Sequence, residues 1–365
     1  MHILHVVGAR PNFMKAAPVM AALNSCKGVR QTLVHTGQHY DFSMSDVFFQ
    51  QLGMPSPDVN LAVGSGTHAQ QTAAIMCHLE AVMFDRKPDL VVVYGDVNST
   101  VAAALVCTKL LISVAHVEAG LRSFDRTMPE EINRLLTDRV ADLLLTPSTD
   151  GNENLQGEGV PAERIHFVGN VMIDTLIRLL PVADHHCPDR LHERYALITL
   201  HRPANVDDPM LLNQIIDSIL DSSQDLAVIF PVHPRTQKQL KRTGYGPRLR
   251  FLDPIPYLEF IALQRDATVV ITDSGGVQEE TTYLGVPCLT VRENTERPVT
   301  VTLGTNTLVG RNPERLRIEL ELIIGGRGKR GQVPPLWDGH ASRRIAEVLL
   351  AAGRPAKYEL PTTAS

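Results

Sequence analysis

The feature that most constrains this chain is an unbroken apolar run, Leu90-Val-Val-Val-Tyr94, which ends in Gly95-Asp96-Val97-Asn98-Ser99-Thr100 ahead of a helical pattern over Val101–Leu111. A strand of β-branched residues with no polar alternation is buried on both faces, which points to a parallel sheet covered by helices. The same unit recurs. Met1–Gly8 ends in Gly-Ala-Arg-Pro before a helix over Phe13–Leu23, and Val29–Thr36 ends in Gly37-Gln38-His39-Tyr40-Asp41. Repeated strand, turn and helix specify a doubly wound α/β fold, whose ligands sit at the carboxyl ends of the strands. At 365 residues the chain exceeds one ordinary core, so two such domains are expected.

The first domain is read as residues 1–180, completed by strands Asp142–Thr146 and Ile165–Val168 and helices Thr149–Glu158 and Val171–Leu180. Periodicity then lapses over 181–194, PVADHHCPDRLHER, a proline-punctuated linker. The second domain, 195–335, opens with strand Ala196–Leu200 and His201-Arg202-Pro203, and its strand Thr268–Thr272 delivers Asp273-Ser274-Gly275-Gly276. A basic, glycine-rich loop leads into 336–365, whose helix Ala341–Ala352 is expected to pack back on the first domain.

The densest acid and base chemistry lies in His116–Arg134, HVEAGLRSFDRTMPEEINR. A strand over Leu111–Ala115 would present Glu118 at its carboxyl end, and Pro129-Glu130-Glu131 would open a helix. For Glu131 a plain helix start suffices, because acids favour the positive end of the helix dipole. Asp96 suits either a helix cap or a site carboxylate, and its position in register with Glu118 favours the site. Arg10 at a helix start, with Lys15 one turn in, suits a phosphate held by cations and free backbone N–H groups. Ser274-Gly275-Gly276 offers the same to a diphosphate, with Glu280 placed to hold a ribose. Gly64-Ser65-Gly66-Thr67-His68-Ala69 fits a dinucleotide fingerprint, but that fingerprint belongs after the first strand, where Gly8-Ala9-Arg10 already stands.

A formal charge of −5 gives no reason to expect nucleic acid. Five widely spaced cysteines, an odd number, read as reduced side chains of a cytoplasmic protein. His185, His186, Cys187 and His192 lack a paired ligand motif elsewhere, so no metal site is expected. The apolar runs are too short for a membrane helix, and MHILHVVGARP does not read as a signal peptide.

GARPNFMK, TGQHYD, YGDVNST, HVEAGLRSFDRTMPEEINR, TLHRPANVDD, FPVHPRT, TDSGGVQEE and TERP, in that order between residues 8 and 298, resemble the bacterial UDP-N-acetylglucosamine 2-epimerase family, non-hydrolysing branch. The resemblance implies two Rossmann-like domains facing a central cleft, the GT-B architecture. It also implies interconversion of UDP-N-acetylglucosamine and UDP-N-acetylmannosamine by elimination of UDP to a 2-acetamidoglucal and re-addition. Asp96, Glu118 and Glu130 match the family's catalytic carboxylates, with the base in each direction left open. Arg10, Lys15, Arg134 and His201 match positions near the diphosphate and sugar, with His201 counted among the catalytic set, and His233 matches a histidine of the cleft. Phe260 matches the residue beside uracil, Ser274, Gly275 and Gly276 the phosphate turn, and Glu280 the ribose contact. Gln38 and His39 match a region where a second UDP-N-acetylglucosamine acts as activator, although Tyr40-Asp41-Phe42 and Asn12 depart from the pattern of some members. Neither redox cofactor nor metal is implied, the partner is a UDP-sugar, and a homodimer is the family expectation. Rival readings on the same scaffold are a 2-epimerase of a UDP-2,3-diacetamido uronic acid, a hydrolysing 2-epimerase and a GT-B glycosyltransferase.

Overall fold

The computed structural model describes residues 1–38, 49, 51–184, 193–222, 226–232, 236 and 248–352. The chain divides into two compact units, Met1–Thr175 with the chain from Pro335, and Leu176–Pro334. The first division falls within a helix that runs from Val171 to Ala183, so the opening residues of the expected linker are helical and 185–192 lie outside the described residues.

The first unit is built on strands β1 (His2–Val7), β2 (Arg30–His35), β3 (Val59–Asn60), β4 (Leu90–Tyr94), β5 (Ser113–Val117), β6 (Leu143–Thr146) and β7 (Ile165–Phe167). They pair in the order β3-β2-β1-β4-β5-β6-β7, all parallel. Its helices are α1 (Arg10–Asn24), α2 (His68–Arg86), α3 (Asn98–Lys109), α4 (Pro129–Val140) and α5 (Thr149–Gly157), and α6 (Val171–Ala183) starts in it and continues into the second unit. The order reverses between β1 and β4, and such a switch point opens a crevice at the strands' carboxyl ends. β4 is buried along its whole length, as its valines require, and packs with α2 and α3 through Leu79, Met83, Ala103 and Cys107.

β5 differs from the sequence expectation. Leu111 sits in a left-handed turn (φ +57°) and is exposed, while His116 and Val117 carry the strand on to the edge of Glu118. The apolar run marked the strand two residues too early because His116, a polar residue, is fully buried in it. The dinucleotide-like run also resolves locally. Thr67 caps α2, accepting from the Gln70 N–H at 3.3 Å, while the Gln70 side chain accepts from the Thr67 N–H at 3.2 Å, a reciprocal box after the short strand β3.

The second unit contains β8 (Tyr195–Thr199), β9 (Ala227–Pro231), β10 (Leu249–Leu252), β11 (Val269–Thr272), β12 (Cys288–Thr290) and β13 (Asn306–Leu308), paired in parallel in the order β10-β9-β8-β11-β12-β13. Here the switch point lies between β8 and β11. Helices α7 (Pro203–Val206), α8 (Pro209–Ser222), α9 (Tyr257–Asp266), α10 (Gly275–Leu284), α11 (Pro298–Thr302) and α12 (Pro313–Ile324) cover the sheet. One face packs Ile215, Ile219, Phe230 and Leu320 together, the other Tyr195, Leu263 and Val277. The last helix, α13 (Ala341–Ala352), belongs to the first unit. Its first N–H groups donate to the Asp174 carboxylate at 3.1 and 2.7 Å, and Trp337 ahead of it donates to the Pro147 carbonyl at 3.0 Å.

Candidate functional site

Three strand ends of the first unit converge. After β1, Asn12 turns its side chain back so that Oδ1 accepts from the N–H groups of Gly8 and Ala9, both at 3.0 Å, while its Nδ2 donates to the Tyr94 carbonyl at 2.7 Å. This corrects one expectation. The two turn amides that would have faced a phosphate are spent on Asn12, so the cations of this turn come without them. Arg10 is exposed at the start of α1, whereas Lys15 is buried and pairs with the buried carboxylate of Glu118.

Gly95 follows β4 in the left-handed region (φ +63°), and a Cβ there would meet Lys15 Nζ at 2.8 Å and Glu118 Oε2 at 3.1 Å. Only glycine lets the pair rest against the turn. Glu118 itself has φ +74°, a conformation that costs a side-chain-bearing residue on the order of 1 kcal/mol and gathers at functional sites. It is held there by Leu145, whose carbonyl accepts from the N–H groups of Glu118 at 3.0 Å and Ala119 at 3.1 Å.

Asp96, next to Gly95, is the more open carboxylate, with 28% of its side chain exposed against 7% for Glu118. Arg134 Nε donates to it at 3.0 Å, and Asn133 donates to its backbone carbonyl at 2.9 Å. Both come from α4, and Glu130 lies three and four residues ahead of them, on the same helix face and half-buried. Glu131 takes the other side. Buried, it accepts from Ser123 N–H and Oγ, both at 2.9 Å, and from Phe124 N–H at 3.0 Å, and pairs with Arg134. It braces the loop that precedes the helix. Gln38 is also turned inward, its side-chain oxygen accepting from Ser99 Oγ at 2.7 Å and Ser99 N–H at 3.2 Å. His39 lies outside the described residues.

In the second unit the strand ends of β8 and β11 meet. Asp273, fully buried, accepts from the N–H groups of His201 at 3.1 Å and Arg202 at 2.9 Å, from Asn205 Nδ2 at 2.9 Å, and lies 2.8 Å from His201 Nδ1. Burial alone would raise its carboxyl, but the bonds and charge of His201, Asn205 and Arg202 N–H outweigh burial and hold it below the usual carboxylate range. The His201 ring is otherwise exposed. α10 begins directly after, at Gly275. Ser274 makes no side-chain cap bond and Gly275 and Gly276 are half-exposed, so the helix start keeps N–H groups available to an anion. A Cβ at Gly275 would run into the Arg297 guanidinium and come within 2.6 Å of Glu296 Oε1. Arg297 is fixed there by Glu296 and by Glu279 at 2.9 Å.

Glu280 is buried on α10, its two oxygens accepting from Tyr257 OH and Gln264 Nε2, both at 2.6 Å. Phe260 is half-buried on α9, against the apolar face of Tyr195, Leu263 and Val277. His233 lies outside the described residues. His116, Asp138, Asp273 and Arg297 were given no role from sequence, and Asn12 stood out there only as a departure from the pattern of some family members. Asp273 was the one with a visible signal, an acid at a strand end directly before a glycine turn. Among the described residues no three His, Cys, Asp or Glu side chains are grouped to hold a metal ion, and no helix is long and apolar enough to cross a membrane.

Two parallel sheets, each with a switch point where charged or glycine-rich strand ends gather, place the protein among the doubly wound α/β proteins. The chain belongs to the UDP-N-acetylglucosamine 2-epimerase family, whose sequence model matches residues 21–350. It is 42% identical over 364 residues to UDP-N-acetylglucosamine 2-epimerase of Methanocaldococcus jannaschii, covering 96% of this chain and 99% of that one. It is equally 42% identical over 352 residues to UDP-2,3-diacetamido-2,3-dideoxy-D-glucuronate 2-epimerase of Pseudomonas aeruginosa, at 96% and 99% coverage. The fold matches the crystal structure of the M. jannaschii UDP-GlcNAc 2-epimerase in complex with UDP-GlcNAc and UDP, with a TM-score of 0.86, 41% identity, and 96% and 100% of the two chains covered.

Proposed function

We propose that this protein is a non-hydrolysing 2-epimerase that interconverts UDP-N-acetylglucosamine and UDP-N-acetylmannosamine. The observation that carries the reading is the set of carboxylates at the first unit's strand ends, each with its own cation: Glu118 with Lys15, and Asp96 with Arg134. The C2 proton of the sugar is not next to a carbonyl, so its direct removal by a carboxylate would be very slow. Anti elimination of UDP avoids this. A carboxylate takes the C2 proton as the C1–O bond breaks, the electron pair leaves on UDP, and a 2-acetamidoglucal remains; re-addition with protonation from the opposite face inverts C2.

Asp96, Glu118 and Glu130 are the groups for that proton traffic, and Arg10, Lys15 and Arg134 offset charge on the departing diphosphate. The glycine turn Ser274-Gly275-Gly276 takes the diphosphate, Glu280, oriented by Tyr257 and Gln264, the ribose, and Phe260 the uracil. His201, set by Asp273, joins the diphosphate side. Positional isotope exchange tests the elimination. Oxygen-18 in the bridge between C1 and the β-phosphorus should scramble into the non-bridging positions, read by phosphorus NMR. Label that stays in the bridge while product forms rules elimination out.

The equal identity to the diacetamido uronate enzyme favours one second reading, the same chemistry on that sugar. Turnover of both UDP-sugars at matched concentration decides it. A preference for UDP-N-acetylglucosamine supports the first reading, and a preference for the uronate the second.

A further inference from the structure

The His116 ring in β5 is fully buried, and both its nitrogens face oxygen. Nε2 lies 2.8 Å from the Gly95 carbonyl, which can only accept a hydrogen bond. Nδ1 lies 2.6 Å from Asp138 Oδ1 on α4. The other Asp138 oxygen already accepts from the Gly120 N–H at 3.0 Å and from Arg122 at 2.7 Å. Burial would raise the Asp138 carboxyl, but the charges and hydrogen bonds of His116 and Arg122 outweigh it and keep the group ionised. Because the Gly95 carbonyl can only accept, the ring nitrogen facing it, Nε2, is the one that donates. Arg122 is bound in turn to Glu158 at 2.7 and 2.8 Å, so the buried row alternates imidazole, carboxylate, guanidinium, carboxylate.

This row ends on the turn that carries the chemistry. The Gly95 N–H donates to the Val117 carbonyl at 3.0 Å and the Gly95 carbonyl accepts from His116, so β5 grips the Gly95 peptide from both sides. Asp96 is the next residue, and Lys15 and Glu118 rest against Gly95 itself.

We propose that His116 is a positioning residue, whose Nε2–H fixes the Gly95 carbonyl and thereby the aim of Asp96 and the seat of the Lys15–Glu118 pair. Its kinetic consequence rests on the proposed epimerisation; its hydrogen bond does not. The groups that face it are Asp138 from α4, Arg122 from the loop after β5 with Glu158 behind it, and Gly95 with Lys15, Glu118 and Asp96 beyond.

Nitrogen NMR of histidine-labelled wild type at about pH 7 should show the His116 ring with its proton on Nε2, hydrogen-bonded to the Gly95 carbonyl. An unprotonated Nε2 overturns that bond. In His116→Leu, turnover of UDP-N-acetylglucosamine should fall about thirtyfold with KM within about twofold, and His116→Gln, which keeps a donor for the Gly95 carbonyl, should recover part of the loss. Turnover within about threefold of wild type in the Leu variant, or no recovery in the Gln variant, overturns the positioning role. A wild-type chain that epimerises nothing strikes the proposed function instead, and the NMR spectrum alone then decides.

Discussion

The two units share a strand order around their switch points and use it in opposite ways. In the first, the turn after the leading strand is closed: Asn12 caps the N–H groups of Gly8 and Ala9, and the strand ends present paired side chains, Lys15 with Glu118 and Arg134 with Asp96. In the second, the glycine turn at Gly275 is left uncapped, and its side chains are committed beneath it, Asp273 to His201 and Asn205, and Arg297 to Glu296 and Glu279. One switch point offers charges that can take or give a proton; the other offers fixed backbone dipoles suited to an anion. In both units a buried side chain caps the turn after the leading strand, Asn12 in the first and Asp273 in the second, so the contrast lies in what the next strand at the switch point presents.

The division of labour is broken most severely by removing the first unit's carboxylates. Asp96→Asn, Glu118→Gln and Glu130→Gln should each lower turnover by about 10²–10⁴-fold. UDP affinity, measured by calorimetry, should stay close to wild type. A variant that loses less than about tenfold in turnover removes its residue from the catalytic set.

The next largest contrast is in acid. The first sheet carries His2, His5, His35, His116 and His166 in its strands, and the six strands of the second carry no histidine. Burial pushes His5 down to about 4 and lowers His2, His35 and His166 in the same direction. A buried neutral histidine resists a proton that the unfolded chain accepts. Stability is therefore complete above the unfolded value of about 6.5 and is lost as the pH falls toward 4. For His5 the full loss is on the order of 3 kcal/mol. Hydrogen exchange at pH 7 and pH 5 should show protection falling in the first sheet and holding in the second. Equal losses in both would contradict the contrast.

A smaller effect sharpens the second site. Gly275→Val sets a side chain against Arg297 and Glu296 and over the open N–H groups, and should weaken UDP binding at least about tenfold, or 1.4 kcal/mol. Thermal stability should fall as well, because the buried Arg297–Glu296 pair must shift to admit the side chain, and unaltered UDP affinity in the folded variant would take the glycine turn out of the binding site. Smallest of all, Thr67→Ala removes one helix cap and should cost about 1 kcal/mol in denaturant unfolding, leaving turnover intact. A drop in turnover at equal stability would give the Gly64–Ala69 run a role beyond capping.

Much of this was legible in the chain. Valines without alternation announced a parallel sheet, and strands ending in glycine and acid placed Asp96, Glu118 and Ser274 just past the carboxyl ends of strands. What escaped depends on partners far away in sequence. Asn12 reads only as a departure from the pattern of some family members until Tyr94 is seen to accept from it. His116 reads as the first residue after a strand because periodicity counts apolar residues, whereas a histidine between Asp138 and the Gly95 carbonyl is as buried as the valines beside it. Glu280 looks like an acid open to a ligand until Tyr257 and Gln264 are found holding it in place. Buried polar groups need partners, and the fold rather than the local pattern supplies them.

The most direct test of the proposed reaction is proton NMR of UDP-N-acetylglucosamine incubated with the purified protein in D2O. The expected result is UDP-N-acetylmannosamine carrying deuterium at C2, with little free sugar. Product that keeps its C2 proton, or release of free N-acetylmannosamine with UDP, would contradict proton exchange by the strand-end carboxylates in a non-hydrolysing epimerase.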